Sequence, residues 1–323
     1  MRRHLLSFLL VAAAAPALAQ GPAKPSAEPA LAAPFVLHQL GPGVYAAIDG
    51  PAHKAGSNAG FVIGDDGVVV IDAFFTPEAA RALVAQIRQI TDKPIRYLVN
   101  THYHLDHTGG DGALKAAGAT IVAHRNVRAW LKPENPHLFG DRLTPAEQAL
   151  IASLPEPDVT TTGALTLWLG SRRVEVVAYP GHTGGDLVVE VPDAKVVFCG
   201  DLFWRRTSPN IIDGTLSAWI ATDSAFGRFA DAAQIRFVPG HGEVGDARDV
   251  ADFQAYLADL ASLTRAARAR RLSGDALVAA VEPAMKARWG GWAGFDYFAP
   301  KEIGFMDAEL AGTKRTPRPA PEP

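Results

Sequence analysis

The sequence predicts a layered α/β domain whose sheets end in a metal-collecting edge, on three observations. Short apolar strands and amphipathic helices alternate through two successive halves of the chain, which excludes an all-helical bundle. The run Thr101-His102-Tyr103-His104-Leu105-Asp106-His107 places four metal-competent side chains within six residues, directly after a strand-like segment. Three later loops, Pro180-Gly181-His182-Thr183-Gly184-Gly185-Asp186, Cys199-Gly200-Asp201 and Pro239-Gly240-His241-Gly242, each close a strand and offer a histidine or aspartate beside glycine.

Taken in order, Val36 to Leu40 and Val44 to Ile48 read as strands around Gly41-Pro42-Gly43, and Gly60 to Ile63 pairs with Val68 to Ile71 across Asp65-Asp66-Gly67. A helix capped by Thr76 with Pro77 just inside it carries Ala80, Leu83, Val84, Ile87 and Ile90 on one face. Ile95 to Val99 is a buried strand that delivers the His/Asp cluster at its C-terminal end. A short helix near 110–117, a strand at Thr120 to Ala123 and a helix around Val127 to Leu131 follow. Lys132 to Pro145 is polar and Pro-rich and leads into a capping box, Thr144-Pro145-Ala146-Glu147. Strands are expected at about 164–169, 172–179, 186–191 and 196–200, then a helix from Leu216 to Phe229 and a strand from Ile235 to Val238. Residues 246–312 form a mainly helical extension packed on the domain. Its aromatic segment (Trp292, Phe295, Tyr297, Phe298) is the glue that fixes those helices, and Thr313 to Pro323 reads as a disordered tail.

At the other end, residues 1–19 carry Arg2 and Arg3, an apolar run from Leu5 to Ala15 and the Ala17-Leu18-Ala19 cleavage pattern of a signal peptide. That implies a bacterial periplasmic or secreted protein beginning at Gln20, with a disordered Pro/Ala-rich leader over residues 20–35. The apolar run is shorter than the roughly 20 residues that cross a bilayer. Without the two signal arginines, 29 basic side chains face 34 acidic ones, a charge of −5. This disfavours nucleic acid and anionic membrane as partners; the expected partner is a small-molecule substrate. The single cysteine, Cys199, excludes an internal disulfide and fits a small buried residue at the end of its strand.

Imidazole and carboxylate suit zinc and iron, and side chains two apart in an extended segment point the same way. His102 and His104 can therefore grip one ion while Asp106 and His107 reach towards another. Glycine beside each later ligand lets the backbone turn sharply there. His38, His53, His124 and His137 lie outside this pattern and read as packed or surface residues.

With Asp72, the His-x-His-x-Asp-His run, His182, Asp201 and His241 in that order, residues 36–245 strongly resemble the metallo-β-lactamase superfamily. The resemblance implies a four-layer αββα sandwich with a metal centre in a groove at one edge, and two Zn²⁺ per chain. His102, His104 and His182 would hold one ion, Asp106, His107 and His241 the second, and Asp201 would bridge them. A hydroxide shared by the ions would attack an acyl carbon, with Asp106 orienting it as the catalytic carboxylate and Asp72 hydrogen-bonding to a ligand. Trp204 and the loop from Gly50 to Ser57 are candidates to wall the groove, and Arg205 with Arg206 to meet a substrate carboxylate.

Ser57-Asn58-Ala59-Gly60 and Asn100-Thr101-His102 resemble exported class B β-lactamases. Aspartate at 201, where their main subclass has cysteine, resembles the broader hydrolases: thioesterases, lactonases and proteins of periplasmic quinoprotein systems. The expected activity is thus zinc hydrolysis of an amide, ester, lactone or thioester, β-lactams included. The alternatives are a mononuclear iron dioxygenase acting on a sulfur substrate and a non-catalytic periplasmic metal or cofactor accessory protein.

Overall fold

The computed structural model describes residues 33–227, 229 and 232–321. The expected signal peptide, and the leader up to residue 32, lie outside the described residues.

The first half of the chain builds a seven-stranded sheet. Its strands are β1 (Phe35–Gly41), β2 (Val44–Asp49), β3 (Ala59–Ile63), β4 (Val68–Ile71), β5 (Ile95–Val99), β6 (Thr120–His124) and β7 (Val159–Thr161), in that spatial order. The first four run antiparallel, with a loop over residues 50–58 between β2 and β3, and β4 to β7 run parallel. Parallel neighbours need crossovers. These are α1 (Pro77–Ile90), the single turn α2 (Leu105–Thr108) with α3 (Asp111–Ala116), and the group α4 (Arg125–Trp130), α5 (Asn135–Phe139) and α6 (Pro145–Ser153).

The second half builds a five-stranded sheet in the order β12-β11-β10-β9-β8. Its strands are β8 (Ala164–Leu169), β9 (Arg172–Ala178), β10 (Leu187–Val191), β11 (Val196–Trp204) and β12 (Arg236–His241). Only β11 and β12 are parallel, joined through α7 (Leu216–Phe226). Then come α8 (Ala247–Ala269), α9 (Gly274–Trp289) and α10 (Phe295–Ala311).

Strand alternation explains the layering, because successive side chains point to opposite faces. Val69, Ile71 and Val122 meet Val174, Val176, Val189 and Phe198 between the sheets. Val68, Val70 and Ile121 face outward onto Leu83 and Ile87 of α1 and Leu114 of α3. On the opposite side Val197 and Cys199 face Trp219, Phe226, Phe253 and Leu257 of α7 and α8, and α9 and α10 join that cluster through Met285 and Ile303. The result is an αββα sandwich with additional C-terminal helices.

The cap at Thr76 forms as the sequence suggests, its hydroxyl accepting from Ala79 N, and both hydrogen bonds of the capping box at Thr144 and Glu147 are made. Several elements depart from the sequence reading. The stretch 132–145 contains α5 and a 3₁₀ turn at Gly140–Arg142, where Asn135 anchors the turn by donating to the carbonyls of Tyr103 and Leu131. β11 and β12 run past their expected ends, so Asp201 and His241 sit on irregular strand ends, with register shifts around Gly200. The helical extension is as expected, and its aromatic segment enters α10, where Phe295, Ala299, Ile303 and Met306 share one buried face.

The expected disordered tail is also corrected. Residues 313–321 lie against the domain. Lys314 Nζ donates to the carbonyls of Ile211 (2.7 Å) and Gly214 (2.5 Å), Trp130 Nε1 donates to Arg318 O (2.6 Å), and Ala320 N donates to Asn126 Oδ1 (2.9 Å). Such contacts depend on partners far away in the chain, so composition alone misreads them.

Candidate metal centre

β5 ends at Val99, and the next residues turn through bends into α2, so the His-x-His-x-Asp-His run is half loop and half helical turn. The structure brings all seven expected ligands together at this sheet edge, in two groups. His102, His104, His182 and Asp201 form one, and Asp106, His107 and His241 the other, each with donor atoms within 4.8 Å of one another. Asp201 stands between them. Its Oδ2 is 3.3 Å from His182 Nε2 and 3.8 Å from His102 Nε2, while its Oδ1 is 3.0 Å from His107 Nε2 and 3.4 Å from His241 Nε2. Asp106 Oδ2 completes the second group at 3.3 Å from His241 Nε2 and 3.5 Å from His107 Nε2.

Whether these residues suit a cation can be judged from their unsatisfied atoms. Buried polar atoms are ordinarily hydrogen-bonded. Here His102 Nε2, His107 Nε2, His241 Nε2 and Asp201 Oδ1 are all buried without a hydrogen-bond partner, despite their proximity. Lone pairs aimed at shared space, from imidazoles and carboxylates alone, match a hard-to-borderline divalent cation.

The opposite ring nitrogens are held. Asp72, at the end of β4 with a left-handed backbone (φ 57°), accepts from Thr101 N (2.7 Å) and Thr101 Oγ1 (2.8 Å), and its Oδ2 lies 2.8 Å from His107 Nδ1. Thr101 Oγ1 is 3.0 Å from His102 Nδ1. Such partners fix the ring and leave Nε2 free for an ion. His104 is reversed: its Nδ1 is 2.9 Å from His182 Nε2, and its Nε2 is 3.4 Å from Asp213 Oδ2, which also accepts from the Tyr103 hydroxyl. Sequence reasoning missed Asp213. It lies in a loop between β11 and α7 with no motif around it, and only its position in space connects it to His104.

Glycine is required where the loops meet. A Cβ on Gly240 would lie 1.8 Å from Asp201 Oδ1, and Gly200, at φ 52°, would press a Cβ to 2.5 Å from Thr101 Oγ1.

The electrostatics are those of crowded, opposed charges. Burial and the neighbouring His107 hold His102 well below the usual histidine range, and burial brings His182 down to about 3. Burial also opposes charge on His107 and His241, but Asp201 and Asp106 outweigh it, raising His107 well above its usual range and His241 to about 9. Burial would raise Asp201, yet His241, His107, His182 and His102 hold it well below the carboxylate range. Asp201 is therefore an anion and a ready ligand.

Asp106 and His241 are the most exposed of the seven, while His107 is fully buried. The side chains of His102, His182 and Asp201 are 1–2% exposed, whereas Asp106 is 30% and His241 18% exposed. A groove of about 190 Å³, walled by Phe75, Leu138, Phe139, Trp204 and Asn210, reaches His104, Asp106 and Asp201. Trp204 stacks on the His241 ring with centroids 4.0 Å apart. Arg205 departs from the sequence expectation: its guanidinium pairs with Asp249 of α8 at 2.8 Å, and it does not line this groove. Arg206 points to the same carboxylate at 4.0 Å. The loop from Gly50 to Ser57 contributes Ser57, whose hydroxyl donates to Asp106 O at 2.6 Å.

Of the remaining histidines, His38, His53 and His137 are exposed, and His124 caps α4 by accepting from Asn126 N.

Two sheets, outer helices and a His/Asp edge define a class of metal-site sandwich proteins, and comparison with known proteins agrees. Residues 54–266 match the model of the metallo-beta-lactamase superfamily, and the chain belongs to that family. It is 30% identical over 159 residues to a hydroxyacylglutathione hydrolase of Brucella anthropi, covering 49% of this chain and 52% of that protein. It is 33% identical over 120 residues to one of Brucella ovis, covering 37% and 38%. The chain thus spans about half or less of the curated relatives it matches. Its fold resembles a metallo-beta-lactamase from Pontibacter korlensis with a TM-score of 0.57 and 23% identity, over 69% of this chain and 99% of that one.

Proposed function

We propose that this member of a metallo-hydrolase superfamily is an exported dinuclear zinc hydrolase that cleaves an acyl bond in a small-molecule amide, ester, lactone or thioester. One observation carries the proposal: Asp201 turns one carboxylate oxygen to each of two donor groups. The hydroxyacylglutathione hydrolases among its relatives favour the thioester end of this range, and β-lactams remain within it.

His102, His104 and His182 would hold one ion, Asp106, His107 and His241 the other, and Asp201 both. Bound zinc would polarise the carbonyl and acidify water towards a pKa of about 7. The protein's part is orientation. Asp106 is the most exposed of the carboxylates and faces the groove, so it would hold and orient the attacking water. Ser57 fixes the backbone of Asp106, and Asp72 keeps His107 in one tautomer. Phe75, Phe139 and Trp204 exclude bulk water from the apolar side of the substrate.

Metal analysis with turnover is the test. Purified protein should carry two zinc ions per chain and hydrolyse at least one of a chromogenic cephalosporin, a lactone or an acyl thioester. Asp201→Asn should lose the second ion first. One iron per chain with oxygen uptake on a persulfide would replace this reading with the oxygenase. Metal without turnover, together with a specific co-purifying partner, would replace it with an accessory protein. Export rests on residues 1–19 and predicts a mature N-terminus at Gln20 in the periplasmic or secreted fraction.

A further inference from the structure

His102, His104, Asp106 and His107 all lie between Asn100 and Asp111, and those two residues close the base of the run. Asn100, just past the end of β5, donates from Nδ2 to Oδ1 of Asp111, the first residue of α3, at 2.9 Å. Neither residue is exposed to solvent. Each also keeps one oxygen, Asn100 Oδ1 and Asp111 Oδ2, that is buried with no hydrogen-bond partner.

The two unsatisfied oxygens belong to groups that are already joined, and an amide and a carboxyl are both planar. As a carboxylate, Asp111 offers acceptors only and leaves the Asn100 oxygen with nothing to receive. As a carboxylic acid it donates from Oδ2 to Asn100 Oδ1 while Asn100 Nδ2 donates back, so one proton satisfies both oxygens. An anion here would also lack support, because buried charges are ordinarily paired or ringed by donors. Among the described residues Asp111 accepts from Asn100 alone, although it stands in the first turn of α3, where backbone N–H groups are free. The charge that acts on it is Asp72, another carboxylate, and α1 approaches this corner through the methyl group of Ala80 beside Gly110. Burial, with Asp72 adding to it, holds the Asp111 carboxyl well above the carboxylate range against the Asn100 hydrogen bond.

What adjoins the pair connects it to the metal centre. Thr101, next to Asn100, donates to Asp72 through N and Oγ1, and Asp72 Oδ2 meets His107 Nδ1. From the other end, Gly110 N donates to Phe74 O, and Ala73 N donates to His107 O. The ligand run is therefore pinned to residues 72–74 from both sides, and the Asn100–Asp111 pair ties the two sides together. Ionising Asp111 would set a second anion near Asp72 and remove the return bond.

We infer that Asp111 is a positioning residue carried as a neutral acid, whose reciprocal pair with Asn100 staples shut the loop that bears His102, His104, Asp106 and His107. The staple rests on the metal-centre reading and not on which bond the protein cleaves.

Infrared difference spectroscopy of the full chain at neutral pH reads the proton itself. The parent should show a carbonyl stretch of a protonated carboxyl that is missing from Asp111→Asn. That variant keeps the staple, since its amide donates to Asn100 Oδ1 and accepts from Asn100 Nδ2, so its zinc affinity in chelator competition should match the parent's. Asp111→Leu fills similar space with no polar atom and should release zinc about tenfold more readily, the scale of lost ligand support. Asn100→Leu should behave alike, and the double variant should be no worse than either single one. In the zinc-free chain, amide exchange over residues 101–108 should accelerate in Asp111→Leu and stay unchanged in Asp111→Asn. An infrared spectrum that Asp111→Asn leaves intact would overturn the neutral acid, even if the leucine variants fail to fold. Zinc release from Asp111→Asn as ready as from Asp111→Leu, or parental zinc affinity in Asp111→Leu, would overturn the staple. Should no acyl substrate be turned over while the infrared and zinc results hold, the staple stands and only the hydrolase reading fails.

Discussion

The His104 imidazole is constrained at both nitrogens, since Nδ1 faces His182 and Nε2 faces Asp213, which also receives the Tyr103 hydroxyl. Burial raises the Tyr103 phenol far above its ordinary range, so it stays a donor to that carboxylate. Groups that orient ligands in this way typically contribute 10–100-fold in metal affinity. Asp213→Ala should therefore weaken the first ion by about that factor in a chelator competition, while the ion near His107 is lost no more readily than in the parent. Loss of both ions in parallel would show that Asp213 only supports the fold. Asp72 differs in being legible beforehand, as the first of the ordered residues that carry the family resemblance. Asp213 belongs to a loop whose neighbours give no signal.

At the scale of elements, the tail after α10 acts as a strap. Lys314 is 5% exposed and joins the carbonyls of Ile211 and Gly214, which flank Asp213. Ala320 binds Asn126, whose amide donates to Gly184 O two residues from His182. Each net hydrogen bond contributes about 1 kcal/mol, so deleting residues 313–323 should destabilise the protein by about 2–4 kcal/mol in urea unfolding. Amide exchange at 211–216 and 182–186 should accelerate more than elsewhere. Unchanged exchange in both loops would mean that the tail merely rests on the surface.

For the whole molecule, the buried Glu302 of α10 accepts from the Tyr256 hydroxyl of α8 and couples the packing of the two helices to pH. Its folded value of about 8 lies above the ordinary 4.5, so the folded state binds more protons between these limits. Stability contributed by the neutral form is complete below about 4.5 and falls as pH rises towards 8, where the buried carboxyl must ionise. Glu302→Gln keeps an acceptor for Tyr256 and cannot ionise. Its unfolding free energy should decline less than the parent's between pH 5 and 8, measured with the metal content held constant. Parallel pH profiles would remove Glu302 as the cause.

Periodicity and punctuation in the chain were sufficient for most elements: Thr76-Pro77 starts α1, the Thr144-Glu147 box starts α6, and period-two valines assign strand faces. The seven candidate ligands were also legible, because crowded histidines and aspartates beside glycine at strand ends have few other uses. The helical extension over 246–312 was legible as well, whereas the tail hid its partners. Local sequence determined which residues present lone pairs and where the backbone turns. Only the tertiary structure decided that Arg205 pairs with Asp249 and that Asp213 steadies His104. The reason is that burial and charge pairing arise between segments distant along the chain, from 44 residues apart for Arg205 and Asp249 to 109 for His104 and Asp213, and no local pattern in the chain encodes which of them will meet.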